Sequence, residues 1–438
     1  QSQSNLVCRL LLEKKNATVF AMGYQNTKEY NLNGQAYLDI KLFKGLTWSS
    51  KVAVNYIDEY YKMYQRPVNT YLLQERETNG DYKFFDNGPP DILGVTDQYS
   101  KIIQPTVYST LRYEKRIGDH QIGALAGYEQ LYYRYQTLRA NRPNSAFPNL
   151  TELSGYSPTN QTLFNTSPRL AGIGTNPAEW AMQSFFGRVN YDFKGKYLLE
   201  ANLRYDGTSK VSPDYRWGVF PSFSVGWRAS QEDFIRDNFS WISDLKLRGS
   251  YGTLGNQDIS TYAYQRILTT DNIGYPFGNT SLTQGAVLNT LVDQSVRWES
   301  TRVLDLGFDL EIKRGLLGIT FDWFRKTTSD ILANQPIPSS LGLSAPIAND
   351  GRLRNQGVEL ELRHQNTIGK VGYGVNGLIS MVKNKVLYIR TPSIGSNIRR
   401  TGDEYDAHYL YIWDGIFQVE DIFFFSSRRR HTRFDCDW

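Results

Sequence analysis

The stretch Ser184–Tyr205, SFFGRVNYDFKGKYLLEANLRY, decides how the rest of the chain is read. Phe185, Gly187, Val189, Tyr191 and Phe193 alternate with Phe186, Arg188, Asn190 and Asp192, so a strand here has one apolar face and one mostly polar face. Lys194-Gly195 interrupts the pattern. It resumes with Tyr197, Leu199, Ala201, Leu203 and Tyr205 against Glu200, Asn202, Arg204 and Asp206, which predicts an antiparallel hairpin with a tight turn.

The same design recurs on both sides of this hairpin. Leu38, Ile40 and Leu42 lead to Lys44-Gly45, after which Leu46, Trp48, Val52 and Val54 oppose Thr47, Ser49, Lys51 and Asn55. Leu304, Leu306, Phe308, Leu310 and Ile312 oppose Asp305, Gly307, Asp309 and Glu311, and Leu317, Ile319, Phe321 and Trp323 return after Arg314-Gly315. Val358, Leu360 and Leu362 against Glu359, Glu361 and Arg363 start one more pair, completed by Tyr373, Val375 and Ile379. About 13 strands are expected from Ala17 to Val382, most with the roughly 9 to 11 residues that a tilted strand needs to cross a bilayer.

Composition agrees with an all-β chain. Of 438 residues, 14% are aromatic, and mean hydropathy is only −0.48. No segment approaches the roughly 18 apolar residues of a spanning helix. Strands facing lipid on one side and water on the other average to such moderate hydropathy, so the fold expected is an antiparallel transmembrane β-barrel. A net charge of +5 with intermixed signs gives no nucleic-acid footprint.

Connection lengths are uneven in the way barrel rims require. Short turns are expected near residues 44, 117, 195, 315 and 368. Longer segments lie at 58–102, 137–182, 254–300 and 328–354, with briefer ones at 25–34 and 208–216. Ser230-Gln231-Glu232-Asp233 with Phe234, Ile235 and Phe239 falls where a short turn belongs and predicts a short helix at that rim. An odd strand number with no closing strand leads to the expectation that the closing strands lie outside the chain, and the polar opening Gln1-Ser2-Gln3-Ser4 to the expectation that the signal sequence does too.

Several segments resemble the SusC/RagA branch of the TonB-dependent outer-membrane transporters. They are Gly187–Lys210 (GRVNYDFKGKYLLEANLRYDGTSK), Trp217–Trp227 (WGVFPSFSVGW), Leu245–Ile259 (LKLRGSYGTLGNQDI), Lys326–Leu332 (KTTSDIL), Asn355–Leu362 (NQGVELEL) and Asp414–Gln418 (DGIFQ). The resemblance implies a fragment of a barrel of about 22 strands, filled in the whole protein by a plug whose TonB box engages TonB-ExbB-ExbD. It also implies import of oligomeric nutrients, glycans or peptides, with a SusD-like surface lipoprotein and outer-membrane lipid as further partners. Residues 1–422 are expected to be partial barrel. Residues 423–438 contain Phe423-Phe424-Phe425-Ser426-Ser427-Arg428-Arg429-Arg430, resemble translated sequencing-adapter read-through, and are expected to be a non-native tail.

Nothing in the sequence predicts an enzyme or a bound cofactor. His120, His364, His408 and His431 are far apart and lack metal-ligand spacing, and Cys8 and Cys436 stand near opposite ends. Asp305, Asp309, Glu311, Glu359 and Glu361 alternate at lumen positions with Arg188, Arg204, Lys246, Arg248 and Arg363, as a water-filled interior requires. Gly123, Gly127 and Gly252-Thr253-Leu254-Gly255-Asn256 are followed by no helix pattern, so turn and close-packing roles are expected for them instead of a phosphate loop.

Trp48, Tyr56, Tyr191, Tyr197, Tyr205, Trp227 and Trp323 are expected in the aromatic girdles. Tyr60, Tyr61, Tyr64, Tyr71, Phe84 and Phe85, then Tyr156, Phe164 and Trp180, then Tyr262, Tyr264, Tyr275 and Phe277 fall in the longer segments. They either stack on a ligand or partner, or pack against their own loops. Two other readings stay open at this level: a soluble all-β carbohydrate-binding or hydrolytic domain such as a propeller, and a passive porin or adhesin barrel.

Overall fold

The computed structural model describes residues 3–410, apart from 21–22, 66–69, 77, 79–81, 86–93, 143–150, 156–161, 167–178, 267, 270–273, 277–281, 285, 289, 314 and 396. Thirteen antiparallel strands pair in chain order within one sheet. They are β1 Gln3–Phe20, β2 Gly23–Phe43, β3 Leu46–Gln65, β4 Gly94–Ile117, β5 His120–Arg142, β6 Glu179–Phe193 and β7 Tyr197–Thr208. The path continues through β8 Trp217–Arg228, β9 Ile242–Asn256, β10 Glu299–Ile312, β11 Leu317–Ser329, β12 Arg352–Ile368 and β13 Val371–Tyr388. A fourteenth, short strand, Thr162–Thr166, pairs with β5 off this path. Among the described residues, β1 and β13 do not pair with each other, so the wall is open.

The alternation read from the sequence becomes two continuous surfaces. On one, Ile40, Trp48, Leu111, Ala126, Gly187, Leu203 and Pro221 stand in register across seven strands. Val225, Gly249, Leu306, Trp323, Val358 and Met381 form a second such row across six. Val189, Leu203 and Leu306 on this face are 53%, 53% and 49% exposed. An apolar surface this extensive far exceeds what a soluble protein leaves bare, which removes the propeller reading and identifies the lipid side. On the other face Gly226, Arg248, Gly307, Asp322, Glu359 and Ser380 share one row.

Stagger tilts the wall. Leu46, just after the Lys44-Gly45 turn, pairs with Tyr113 and not with Ile117, an offset of four residues between neighbouring turns (117 against 113). Leu317 likewise pairs with His364, four residues before the hairpin closes at Ile368 and Val371 (368 against 364). Such shear is what strands inclined by about 35–45° produce. Tyr128, Phe185, Tyr205 and Trp217 meet at one level of the lipid face, with ring centroids of Tyr205 and Trp217 4.6 Å apart. His120, Tyr191, Phe193 and Tyr197 meet at the other. From Tyr197 to Tyr205 is roughly 27 Å along the strand, or about 20 Å once tilted, close to the apolar band of a membrane barrel. Trp323 is an exception to the expected girdle, because it lies mid-strand in register with Leu306 and Val358.

Several boundaries differ from those expected. Residues 25–34 are not a loop but part of β2, and 58–65 and 94–102 are strand, because β3, β4 and β5 run 20, 24 and 23 residues. Mostly polar side chains on both faces at 25–34 and 58–65 mark a wall standing in water above the bilayer. The glycines also resolve: Gly252–Asn256 is not a turn but the end of β9, and Gly127 and Gly255 make room for rings. A Cβ on Gly127 would fall within the Phe186 ring directly opposite it, and one on Gly255 within the Phe220 ring.

Two outcomes test this architecture in the intact barrel folded into vesicles. Val189→Arg or Leu306→Arg is expected to cost about 2–4 kcal/mol in unfolding titrations and Asn190→Arg much less; equal penalties would contradict the face assignment. Gly127→Val is expected to cost about 1–3 kcal/mol through overpacking, whereas Gly34→Ala, with open space around it, is expected to be nearly silent.

Candidate functional site

The inner face is built around Arg248. Its guanidinium reaches Asp322 at 2.6 Å, Asp309 at 3.2 Å and Asp305 at 3.7 Å, so one cation on β9 ties together carboxylates of β10 and β11. Gly307 lies opposite Arg248, and any side chain there would strike Asp322 and the guanidinium. A concavity of about 500 Å³ beside this hub is bordered by Glu114, Asp192, Glu200, Lys246, Arg248 and Asp305. Nearer the outer rim, Arg204 bridges Asp206 at 3.0 Å and Glu129 at 3.6 Å and lies over the Phe186 ring, which stacks on Tyr108. Of the acids expected as lumen ladders, Asp305 and Asp309 thus share Arg248 from the neighbouring strand, while Glu359 accepts from the Ser380 hydroxyl at 3.3 Å. Among the described residues there is no group of three or more metal-ligating side chains.

Above the bilayer the structure brings together only some of the loop aromatics. Tyr60, Tyr61 and Tyr64 are strand residues of β3, so their assignment to a loop is corrected: the 20-residue ladder of β3 carries them past the membrane, with Tyr60 and Tyr64 on the lipid-side face. Tyr60 donates to Asp97 at 2.9 Å and rests on Tyr99, centroids 4.8 Å apart. Burial, then its bond to Asp97, holds the Tyr60 phenol well above the usual tyrosine range. Tyr64 is buried with Val95, against Tyr24 and Leu153. Lys62 bridges Asp97 and Glu152, which brings Glu152 beside this cluster. Tyr61, on the opposite face of β3, donates to the Met63 sulfur at 3.3 Å.

Trp180 is also a strand residue, in β6, stacked on Tyr133 with centroids 5.7 Å apart. The Lys210 ammonium lies over its ring at 4.9 Å, and burial lowers that lysine's pKa. Tyr262 adopts a positive φ of 60° in the turn after β9, and burial, then Glu179, raises its phenol pKa. Tyr264 borders a polar hollow of about 540 Å³ with Ser212, Asp214, Gln265, Arg266 and Gln294. Tyr71 lies in the short strand Thr70–Arg76, paired with Tyr82–Phe85, which holds Phe84 and Phe85. Phe164 lies in Thr162–Thr166, and Tyr275 in Gly274–Pro276. Tyr156 and Phe277 fall outside the described residues. Tyr60, Tyr64 and Trp180 thus each contact other side chains of this chain, while Tyr264 borders an open hollow. Lys210, Glu179 and Asp97 were not legible as participants, since their contacts are set by pairing between distant segments.

Tall strands, one lipid face and one ion-paired inner face define a transmembrane barrel wall of the outer membrane. Residues 14–409 match the family model "TonB dependent receptor-like, beta-barrel", and the chain belongs to that family. TonB-dependent receptor P39 of Formosa agariphila is 28% identical over 332 residues, 74% of this chain and 28% of that protein. TonB-dependent receptor SusC of Bacteroides thetaiotaomicron is 34% identical over 193 residues, 43% of this chain and 19% of that protein. The structure of the RagAB peptide transporter shares the fold with a TM-score of 0.76 at 21% identity, covering 90% of this chain and 41% of that one. The chain spans less than a third of the length of these curated relatives.

Two side-chain pairs give measurable consequences. Arg248→Ala is expected to cost about 1–3 kcal/mol in the intact barrel, because it leaves half-buried carboxylates facing one another. Glu59 stands opposite Glu29 on β2, and burial, then Glu29, raises its carboxyl pKa above 4.5. A raised acid favours the protonated fold, so this group's contribution is present below the unfolded pKa and lost as pH rises through the folded one. Glu59→Gln is expected to flatten the loss of stability between acid and neutral pH, read by unfolding titrations at several pH values.

Proposed function

We propose that this chain is wall from an energy-coupled importer of oligomeric nutrients, working with a SusD-like lipoprotein over its extracellular rim and with TonB-ExbB-ExbD through a plug and TonB box. The observation that carries the reading is the combination of a water-lined, ion-paired inner face with strands that continue far above the bilayer. A small-solute pore has no need of such an extracellular wall, whereas capture of a bulky ligand does. The relatives support it: they are named TonB-dependent receptors, and RagAB is described as a peptide transporter. Within the wall, ligand contact falls to Tyr264 with Asp214, Arg266 and the neighbouring glutamines, because ring and planar polar groups there remain open to solvent. No residue here is assigned a bond-making role, and the mechanism is transport.

The reading is tested by deleting the parent gene and measuring growth on defined glycans and on oligopeptides. Loss of growth on one oligomer class, with growth on its monomers retained and uptake abolished by a protonophore, is the expected outcome. Uptake that persists without the proton gradient would make the barrel a passive porin. The reading of 423–438 as a non-native tail rests on the abrupt change after Ile422, and sequencing the parent gene across this junction tests it.

A further inference from the structure

One connection at the short-turn rim departs from the economy of the others. Where two to four residues suffice elsewhere, β8 and β9 are joined by Ala229–Trp241, containing the turn Ala229–Gln231 and the helix Asp233–Arg236, α1. Both ends of this segment are tied to the lipid side of the wall. At its start, Glu232 accepts hydrogen bonds from the Tyr197 hydroxyl at 2.7 Å, the Lys196 ammonium at 3.1 Å and the Trp227 indole at 3.3 Å. Tyr197 and Trp227 are a directly opposed pair on the lipid face. At its end, the Trp241 carbonyl accepts from the Lys313 amide at 2.9 Å, and Ile242 pairs with Ile312 at the foot of the apolar column of β10.

The segment's polar and apolar groups are treated differently. Arg236 is held by Asp233 at 2.7 Å and Asp237 at 3.2 Å, and Asn238 donates to the Phe234 carbonyl, so the charged side is internally satisfied. Among the described residues the apolar side is left largely uncovered. Phe234, Phe239 and Trp241 are 58%, 45% and 45% exposed, and Phe239 meets Trp241 edge to face with centroids 6.4 Å apart. The Glu232 carboxyl, its pKa lowered by the Tyr197 hydroxyl and then Lys196, stays ionised and keeps the clamp closed at neutral pH.

We infer that Ala229–Trp241 is an interfacial anchor, in which Phe234, Phe239 and Trp241 enter the headgroup boundary of the inner leaflet and continue the lipid contact begun by Tyr197 and Trp227. Phospholipid is the occupant because the exposed rings are continuous with the lipid-facing girdle and because short turns mark this rim as periplasmic. Aromatic rings with a charged opposite side suit that boundary, where apolar groups sit about 5–10 Å deep and polar groups remain wet. The anchor fixes the height of the β8–β9 hairpin in the bilayer, and thereby the level of the Arg248 hub that hangs from β9.

The test uses the full-length transporter folded into phosphatidylethanolamine and phosphatidylglycerol vesicles, with its natural cysteines replaced by serine. An environment-sensitive fluorophore is attached at Phe234→Cys, at Phe239→Cys or, for comparison, at Asp237→Cys. Lipid carrying bromine on the upper acyl carbons is expected to quench the labels at 234 and 239, and aqueous iodide the label at 237. Labels at 234 and 239 that respond to iodide as strongly as 237 and not to bromolipid would overturn the anchor. Labels there shielded from both quenchers would overturn it in favour of a protein partner. Should Phe234→Cys fail to fold, position 239 gives the same reading from the other end of the segment.

Discussion

Everything in this structure follows from the need to pair backbone amides and carbonyls where no water can reach them. In hydrocarbon each unpaired group costs several kcal/mol, so spanning strands must be laid side by side without interruption. The consecutive pairing from β1 to β13 meets that need for every interior strand. Once the backbone is committed to an unbroken ladder, side chains have only two directions left, and each strand must present an apolar and a polar face at once. Lipid selects Val189, Leu203 and Leu306 for one side; water selects Arg248, Asp305 and Glu359 for the other.

The ladder also explains where charge and glycine are placed. Arg248 can hold Asp309 and Asp322 only because Gly307 leaves space between them, and Phe186 can lie flat only because Gly127 is bare beneath it. Both arrangements couple neighbouring strands through side chains in addition to backbone bonds. Above the bilayer the constraint relaxes, since water is available, and the same strands change character. There β3, β4 and β5 carry phenols, amides and charges on the face that lower down meets lipid, and these bond to one another and to the connecting loops.

Much of this was legible in the chain and some was not. The period-2 pattern located the short turns and the strand number, since lipid enforces alternation so strictly that few exceptions survive. It failed at 25–34 and 58–65, because above the membrane both faces are wet and alternation of hydropathy fades while the strand continues. The same fading placed Tyr60, Tyr61, Tyr64 and Trp180 in loops when they are strand residues. Trp323 was misjudged for another reason: its height in the bilayer depends on shear accumulated over several strands, which no local pattern records.

The sequence by itself determined which residues meet lipid and which meet water, because a side-chain period of two leaves no other choice once a strand spans a bilayer. It also determined the rim of short turns and, through its matching segments, the family. Only the tertiary structure decided which acids share Arg248, which aromatics are consumed by packing and which stay open beside Tyr264, and that Glu232 ties its turn to the lipid side. Those outcomes depend on register between strands distant in the chain, and register is a property of the assembled sheet.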